Sequence, residues 1–165
     1  LDIAARMTTN LTDQQVLKTA AFIRPAQVVQ LMQSLPKGNF EEVPVDEVGR
    51  RLGAAQVIHV HVDAAIMIPE AGLWKPTGRA RVKVIDTATG KRLFPSSNVT
   101  EGAESSEPRT RGIIITELQP RPATAIETGH VPEIRALLAD RMGRDAARLF
   151  YDWTVDRTPG AKFRD

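Results

Sequence analysis

Val57-Ile58-His59-Val60-His61-Val62-Asp63-Ala64 is followed, after an interval holding Pro69, Gly72 and Pro76, by Thr77-Gly78-Arg79-Ala80-Arg81-Val82-Lys83-Val84-Ile85 and then Asp86-Thr87-Ala88-Thr89-Gly90. In both long runs apolar and polar residues alternate with a period of two. Ile58, Val60 and Val62 stand against His59, His61 and Asp63; Ala80, Val82 and Val84 stand against Arg79, Arg81 and Lys83. Such alternation predicts two half-buried strands of one antiparallel hairpin, with the Pro/Gly interval as a long tip. Asp86 and Gly90 supply a tight turn, and Lys91 to Phe94 begins a returning strand, which completes a three-strand meander. In simple register Asp63, His61 and His59 lie across from Arg79, Arg81 and Lys83.

Upstream of this hairpin the period changes. Leu1, Ala4, Ala5, Thr8 and Leu11 share a helical face, and Thr12-Asp13-Gln14-Gln15 has the form of a cap that restarts a short helix or turn before Val16. Ala20 to Ile23 predicts a brief buried strand. A helix follows with Pro25 at its first position and Val28, Val29, Leu31, Met32 and Leu35 on its apolar face, stopped by Pro36-Lys37-Gly38-Asn39. Val45, Val48 and Leu52 fit a short helix closed at Gly53. Downstream, residues 96–111 are crowded with Ser, Glu, Gly and Pro and predict a mobile polar loop. Gly112 to Thr116 is a β-branched strand, Gln119 to Gly129 an irregular connection, and Pro132 opens the longest helix. There Ile134, Leu137, Leu138, Met142, Leu149, Phe150 and Trp153 form one apolar stripe. Residues 158–165 make a flexible tail. The expected fold is α/β of the α+β type: one domain over residues 1–157, in which a small, mixed but largely antiparallel sheet packs with three to four helices. The sheet is the meander plus one or two further strands.

Composition narrows the function classes. The chain has 165 residues, 42% hydrophobic and 25% charged, which is ordinary for a globular domain and excludes wholesale disorder. No apolar run reaches the ~18 residues of a membrane-crossing helix. The absence of Cys excludes disulfides, thiolate zinc sites and cysteine nucleophiles. With 22 Lys+Arg against 20 Asp+Glu, the net charge of +2 does not mark a nucleic-acid protein.

The most chemical constellation is His59-Val60-His61-Val62-Asp63, whose HxHxD spelling places two imidazoles and a carboxylate on one strand face. These are zinc-ligand types, so a metal-dependent hydrolase is the first alternative function. An exposed sheet face, with the cations of the neighbouring strand opposing protonation of the imidazoles, accounts for the same residues without a metal. Arg79, Arg81 and Lys83 on the strand, and Arg141, Arg144 and Arg148 at helical spacing, are candidate anion-binding surfaces. A nucleic-acid-binding module is the second alternative, although the basic strand carries no interleaved aromatic residues. Leu73 and Trp74 at the hairpin tip and Phe163 in the tail are candidate partner contacts. No Gly-rich phosphate loop is present, and Ser96, Ser97, Ser105 and Ser106 lack a nucleophile-elbow context.

The order of elements adds a resemblance. Arg24 enters a helix; Val48-Gly49-Arg50-Arg51-Leu52-Gly53-Ala54-Ala55-Gln56-Val57-Ile58-His59-Val60 joins a helix to a strand through an LGA step. Ala80-Arg81-Val82-Lys83-Val84-Ile85-Asp86-Thr87-Ala88-Thr89-Gly90-Lys91 closes a strand on a DT-TG turn, and a long helix ends the domain. Over about residues 1–153 this resembles the CsgG, LpoB and TolB amino-terminal-domain superfamily of bacterial envelope proteins. It departs from that pattern at His59, where a small residue is usual, and in the length of the segment from Ser96 to Gly129. The resemblance implies helices packed on a small sheet whose first strand would precede Leu1, in a secreted, periplasmic or outer-membrane-associated protein attached to the membrane only through an upstream anchor. It also implies action by contact with other envelope proteins or with a second copy of itself. No catalytic residue, cofactor or nucleic acid is expected on this reading.

Overall fold

The computed structural model describes residues 2–14, 16, 22–35, 43–70, 72–95, 111–122 and 131–151, with the backbone alone described over 64–70. The elements, in chain order, are α1 (Asp2–Asp13), α2 (Pro25–Ser34), α3 (Val45–Arg51), β1 (Gln56–Glu70), β2 (Leu73–Asp86), β3 (Arg92–Phe94), β4 (Ile113–Glu117), β5 (Arg121–Pro122) and α4 (Val131–Ala147), which tightens into a 3-10 turn at Arg148–Phe150. The expected α+β class is therefore what the residues build: the described residues form four helices and a five-stranded antiparallel sheet.

β2 is the centre of the sheet. One of its edges is paired along its whole length by β1. Its other edge is shared in turn by β3 at Val84 and Ile85, by β4 from Thr77 to Arg81, and by β5 at Leu73 and Trp74. The alternation read in the sequence becomes two faces. Ala80, Val82 and Val84 are buried, as are Ile114 and Thr116 of β4, while Arg79, Arg81, Ile115 and Glu117 on the opposite parity are exposed.

The buried face is covered by α1 and α4. Met7 and Leu11 from α1 and Leu138, Met142, Ala146 and Ala147 from α4 form the core with Ala80, Val82 and Ile114. Leu11 and Met142 are each 1% exposed, and burial of such a side chain stabilises by about 1.5–3 kcal/mol. β2 carries glycine where α4 comes closest: a Cβ on Gly78 would lie 2.4 Å from Met142 Sδ. A polar contact fixes the same helix to β4. The buried Thr116 Oγ1 donates to Asp145 Oδ2 at 2.7 Å, and Arg148 donates to the other carboxylate oxygen at 3.0 Å. Across the helix pair, Arg6 Nε and Arg144 Nη2 both donate to Asp140, whose carboxyl is held below its ordinary pKa by these two guanidinium partners against the opposing effect of burial.

α3 lies at the other side of the sheet's root. Thr87, just past β2, donates its hydroxyl to the carbonyls of Ala54 and Ala55 at 2.6 and 2.9 Å, and its own N–H reaches Ala55 O at 3.0 Å. The Asp86-to-Gly90 turn is as expected: Asp86 Oδ1 accepts from both N–H and hydroxyl of Thr89, which holds the carboxyl below its ordinary pKa.

Several expectations are corrected. The interval with Pro69, Gly72 and Pro76 is not a long loop, because β1 runs to Glu70 and pairs there with Leu73. Pro76 is tolerated in β2 because it falls where the partner on that edge changes from β4 to β5; its carbonyl accepts from Leu118 N–H at 2.9 Å and no N–H is required of it. Thr12 does not cap a new helix but lies within α1, donating to Thr8 O at 2.9 Å. Of the strand expected over Ala20 to Ile23, Phe22 and Ile23 are irregular backbone leading into Pro25, and the rest lies outside the described residues. The regular part of the last helix ends at Ala147 rather than near Trp153, which also lies outside the described residues, as do 96–110 and 158–165.

Candidate functional site

The candidate site is the face of the sheet turned away from α1 and α4. Pairing across the β1–β2 ladder sets His59 against Lys83 and His61 against Arg81, as simple register predicts. The register then slips between Val62 and Ala64, so that Arg79 pairs with Ala64 and Asp63 is the extra residue of a bulge. The expected Asp63–Arg79 pair is thereby replaced. Arg81 Nε donates to both oxygens of Asp63 at 2.9 and 3.2 Å, and Arg81 Nη2 donates to Oδ1 at 2.6 Å. The fork of Arg81 holds the Asp63 carboxyl below the usual carboxylate range.

His59, His61, Arg81 and Lys83 line a shallow depression of about 240 Å³. The two imidazole rings are 6.3 Å apart between centroids and tilted at 45°. His61 Nε2 is 3.7 Å from Asp63 Oδ1, beyond hydrogen-bond reach. His59 is half-buried, and that burial, with the neighbouring His61 and Lys83, pushes its pKa below the ordinary value. Arg79 and Lys83 make no ion pair among the described residues, whereas Lys75, farther along the face, is bonded to Glu117 at 2.7 Å. Opposite Arg79 across the β2–β4 ladder stands Ile115, 58% exposed.

This geometry decides what the HxHxD motif can do. A metal shared by His59, His61 and Asp63 would have to displace Arg81 from the carboxylate, and among the described residues no group of three or more His, Asp or Glu is placed to hold a metal ion. Proton relay through His61 would need an orienting carboxylate in hydrogen-bond contact, and Asp63 is already committed. What remains is a set of donors, two of them formally charged, around a depression.

The other candidates are dispersed. Arg144 and Arg148 are bonded to Asp140 and Asp145 of their own helix, and Arg141 is half-buried, so these three do not assemble an anion site. Trp74 is half-buried on the same parity of β2 as Pro76, Gly78 and Ala80, where it extends the core's edge; Leu73, beside it, is exposed. Phe163 lies outside the described residues. Ile115 was not singled out by the sequence, since an Ile in a β-branched run has no signature that separates an exposed position from a buried one.

No protein-family model, curated protein or solved structure matches the chain. No described helix is long and apolar enough to cross a membrane.

Proposed function

We propose that this is a non-enzymatic interaction domain of the bacterial cell envelope, acting through contacts with other envelope proteins, with the face of the sheet turned away from α1 and α4 as its contact surface. The observation that carries the proposal is the asymmetry of the sheet. One face is closed by α1 and α4, while the other offers Ile115 of β4 at 58% exposure, paired with Arg79 of the central strand β2, which makes no ion pair among the described residues. Ile115 together with Leu73, which is also exposed on the same parity of β2 as Arg79 and Arg81, gives this face apolar groups rimmed by charge, the make-up of a contact surface. The envelope assignment is supported by the element order and the LGA and DT-TG steps that resemble the CsgG, LpoB and TolB superfamily.

Co-purification of the protein, produced from its own gene with a tag, from detergent-solubilised envelope and from cytosol tests both parts. An envelope protein recovered in stoichiometric amount, and lost when Ile115→Asp is introduced without change in circular dichroism, is the expected result. Recovery from cytosol alone, or capture unaltered by Ile115→Asp, would overturn it.

A further inference from the structure

The depression between β1 and β2 has a chemistry of its own, independent of which protein docks on the sheet. Its charges can be summed group by group. Asp63 is neutralised by Arg81 through three donor–acceptor contacts, and Glu117 by Lys75. On α3, the nearest helix to this end of the face, Asp46 and Glu47 are bonded to Arg50, and Glu47 also to Arg51. Within the lining this leaves Lys83 as the cation with no ion pair among the described residues; Arg79 makes none either but stands outside the lining.

The shape of the donor set selects among anions. A planar carboxylate is best met by the fork of an arginine, and the fork of Arg81 is already occupied by Asp63. The remaining donor-bearing side chains of the lining come from two strands: Lys83 and Arg81 Nη1 from β2, and one ring N–H each of His59 and His61 from β1. Cross-strand neighbours stand only about 5 Å apart, so one tetrahedral group can touch donors of both strands at once. Several single donors around a small hollow suit an oxyanion with three or more acceptor oxygens, and Lys83 supplies the net positive charge that draws it in.

We propose that the depression lined by His59, His61, Arg81 and Lys83 is a binding site for a phosphate group, carried either by a soluble phosphate or by an anionic lipid headgroup. Lys83 supplies the charge, the imidazoles supply orienting hydrogen bonds, and Asp63 positions Arg81.

The test follows the imidazole ring resonances of the folded protein while potassium phosphate replaces potassium chloride at constant ionic strength, and separately measures co-sedimentation with phosphatidylglycerol and phosphatidylcholine vesicles. Lys83→Gln, which keeps the stem of the side chain, and Arg79→Ala are run in parallel with circular dichroism as a check on folding. Saturable movement of the His59 and His61 signals, with affinity about tenfold weaker in Lys83→Gln, supports the site with a soluble ligand, tenfold being the loss of one charge-assisted hydrogen bond. Sedimentation with phosphatidylglycerol but not phosphatidylcholine, abolished in Lys83→Gln, supports it with a lipid headgroup. Absence of both, or binding that is the same in Lys83→Gln, or ring shifts that chloride reproduces, means an adventitious ion only and overturns the proposal. None of these readouts depends on a partner protein, so this site and the partner-binding surface can fail separately.

Discussion

Substitution of Gly78 and Met142, singly and together, tests how α4 is seated on the sheet. An alanine methyl at position 78 would lie 2.4 Å from Met142 Sδ, 3.0 Å from Cε and 3.2 Å from Cγ, against the ~3.5–4.0 Å of a normal contact. The thioether must retreat by about 1 Å, and at 1% exposure Met142 has no solvent to swing into. Overpacking of this kind costs about 1–3 kcal/mol, set against a gain of about 0.5–1 kcal/mol from replacing glycine within a strand. Gly78→Ala is therefore expected to destabilise by about 1–2 kcal/mol. Met142→Ala empties the same space and is expected to cost about 2–5 kcal/mol, or about 5–15 °C in Tm for a chain of this size. In the double variant the methyl on residue 78 occupies part of the volume the thioether leaves, so its cost should fall below the sum of the singles by about 1 kcal/mol or more. Urea denaturation read as midpoints at constant slope gives all three values. Additivity within about 0.5 kcal/mol would refute the contact between β2 and α4 on which the core is built.

Gly112, which precedes β4, has φ +66° and a Cβ there would meet the backbone carbonyl oxygen of Val82 in β2 at 2.3 Å; Gly112→Ala is expected to cost more than about 3 kcal/mol, and a loss under about 1 kcal/mol in thermal unfolding would contradict the placement of β4 beside β2. Burial, His61 and Lys83 hold His59 below its ordinary pKa of 6.5, so below that pH the unfolded chain takes up a proton that the folded chain refuses. Stability is then full above about pH 7 and declines as pH falls through 6.5 toward the folded value; His59→Gln should flatten this decline, and an unchanged slope would show that His59 is not its source.

The root of the hairpin was legible because its alternation is strict: burial of Ala80, Val82 and Val84 and exposure of Arg79 and Arg81 follow from the period of two alone. α2 and α3 were legible from Pro25 and from the spacing of Val45, Val48 and Leu52. The outer hairpin was not, because Pro69, Gly72 and Pro76 carry the composition of a loop, and only the change of partner along β2 shows why a proline can remain in the ladder. The pairing of His59 and His61 with Lys83 and Arg81 was legible, but the partner of Asp63 was not. A bulge flips the parity of the strand beyond it, but Ala64-Ala65-Ile66-Met67 is apolar throughout and hides the flip, so no local signal distinguishes Arg81 from Arg79 as the cation Asp63 meets. The spending of Arg144 and Arg148 on Asp140 and Asp145 was in principle readable from i,i+4 and i,i+3 spacing along the last helix.

The slip at Asp63 also separates the hairpin into two ladders that count independently. On the root side odd-numbered residues of β1 pair with odd-numbered residues of β2, as in His59 with Lys83; beyond it even pairs with odd, as in Ile66 with Thr77. Lengthening or trimming the outer ladder by matched rungs leaves the inner count untouched, and removing Asp63 alone would join Val62↔Ala80 directly to Ala64↔Arg79 and merge the two ladders into one count. The outer arm can thus diverge in length and sequence as an interchangeable extension, while the spacing of the four groups around the depression stays locked to the root.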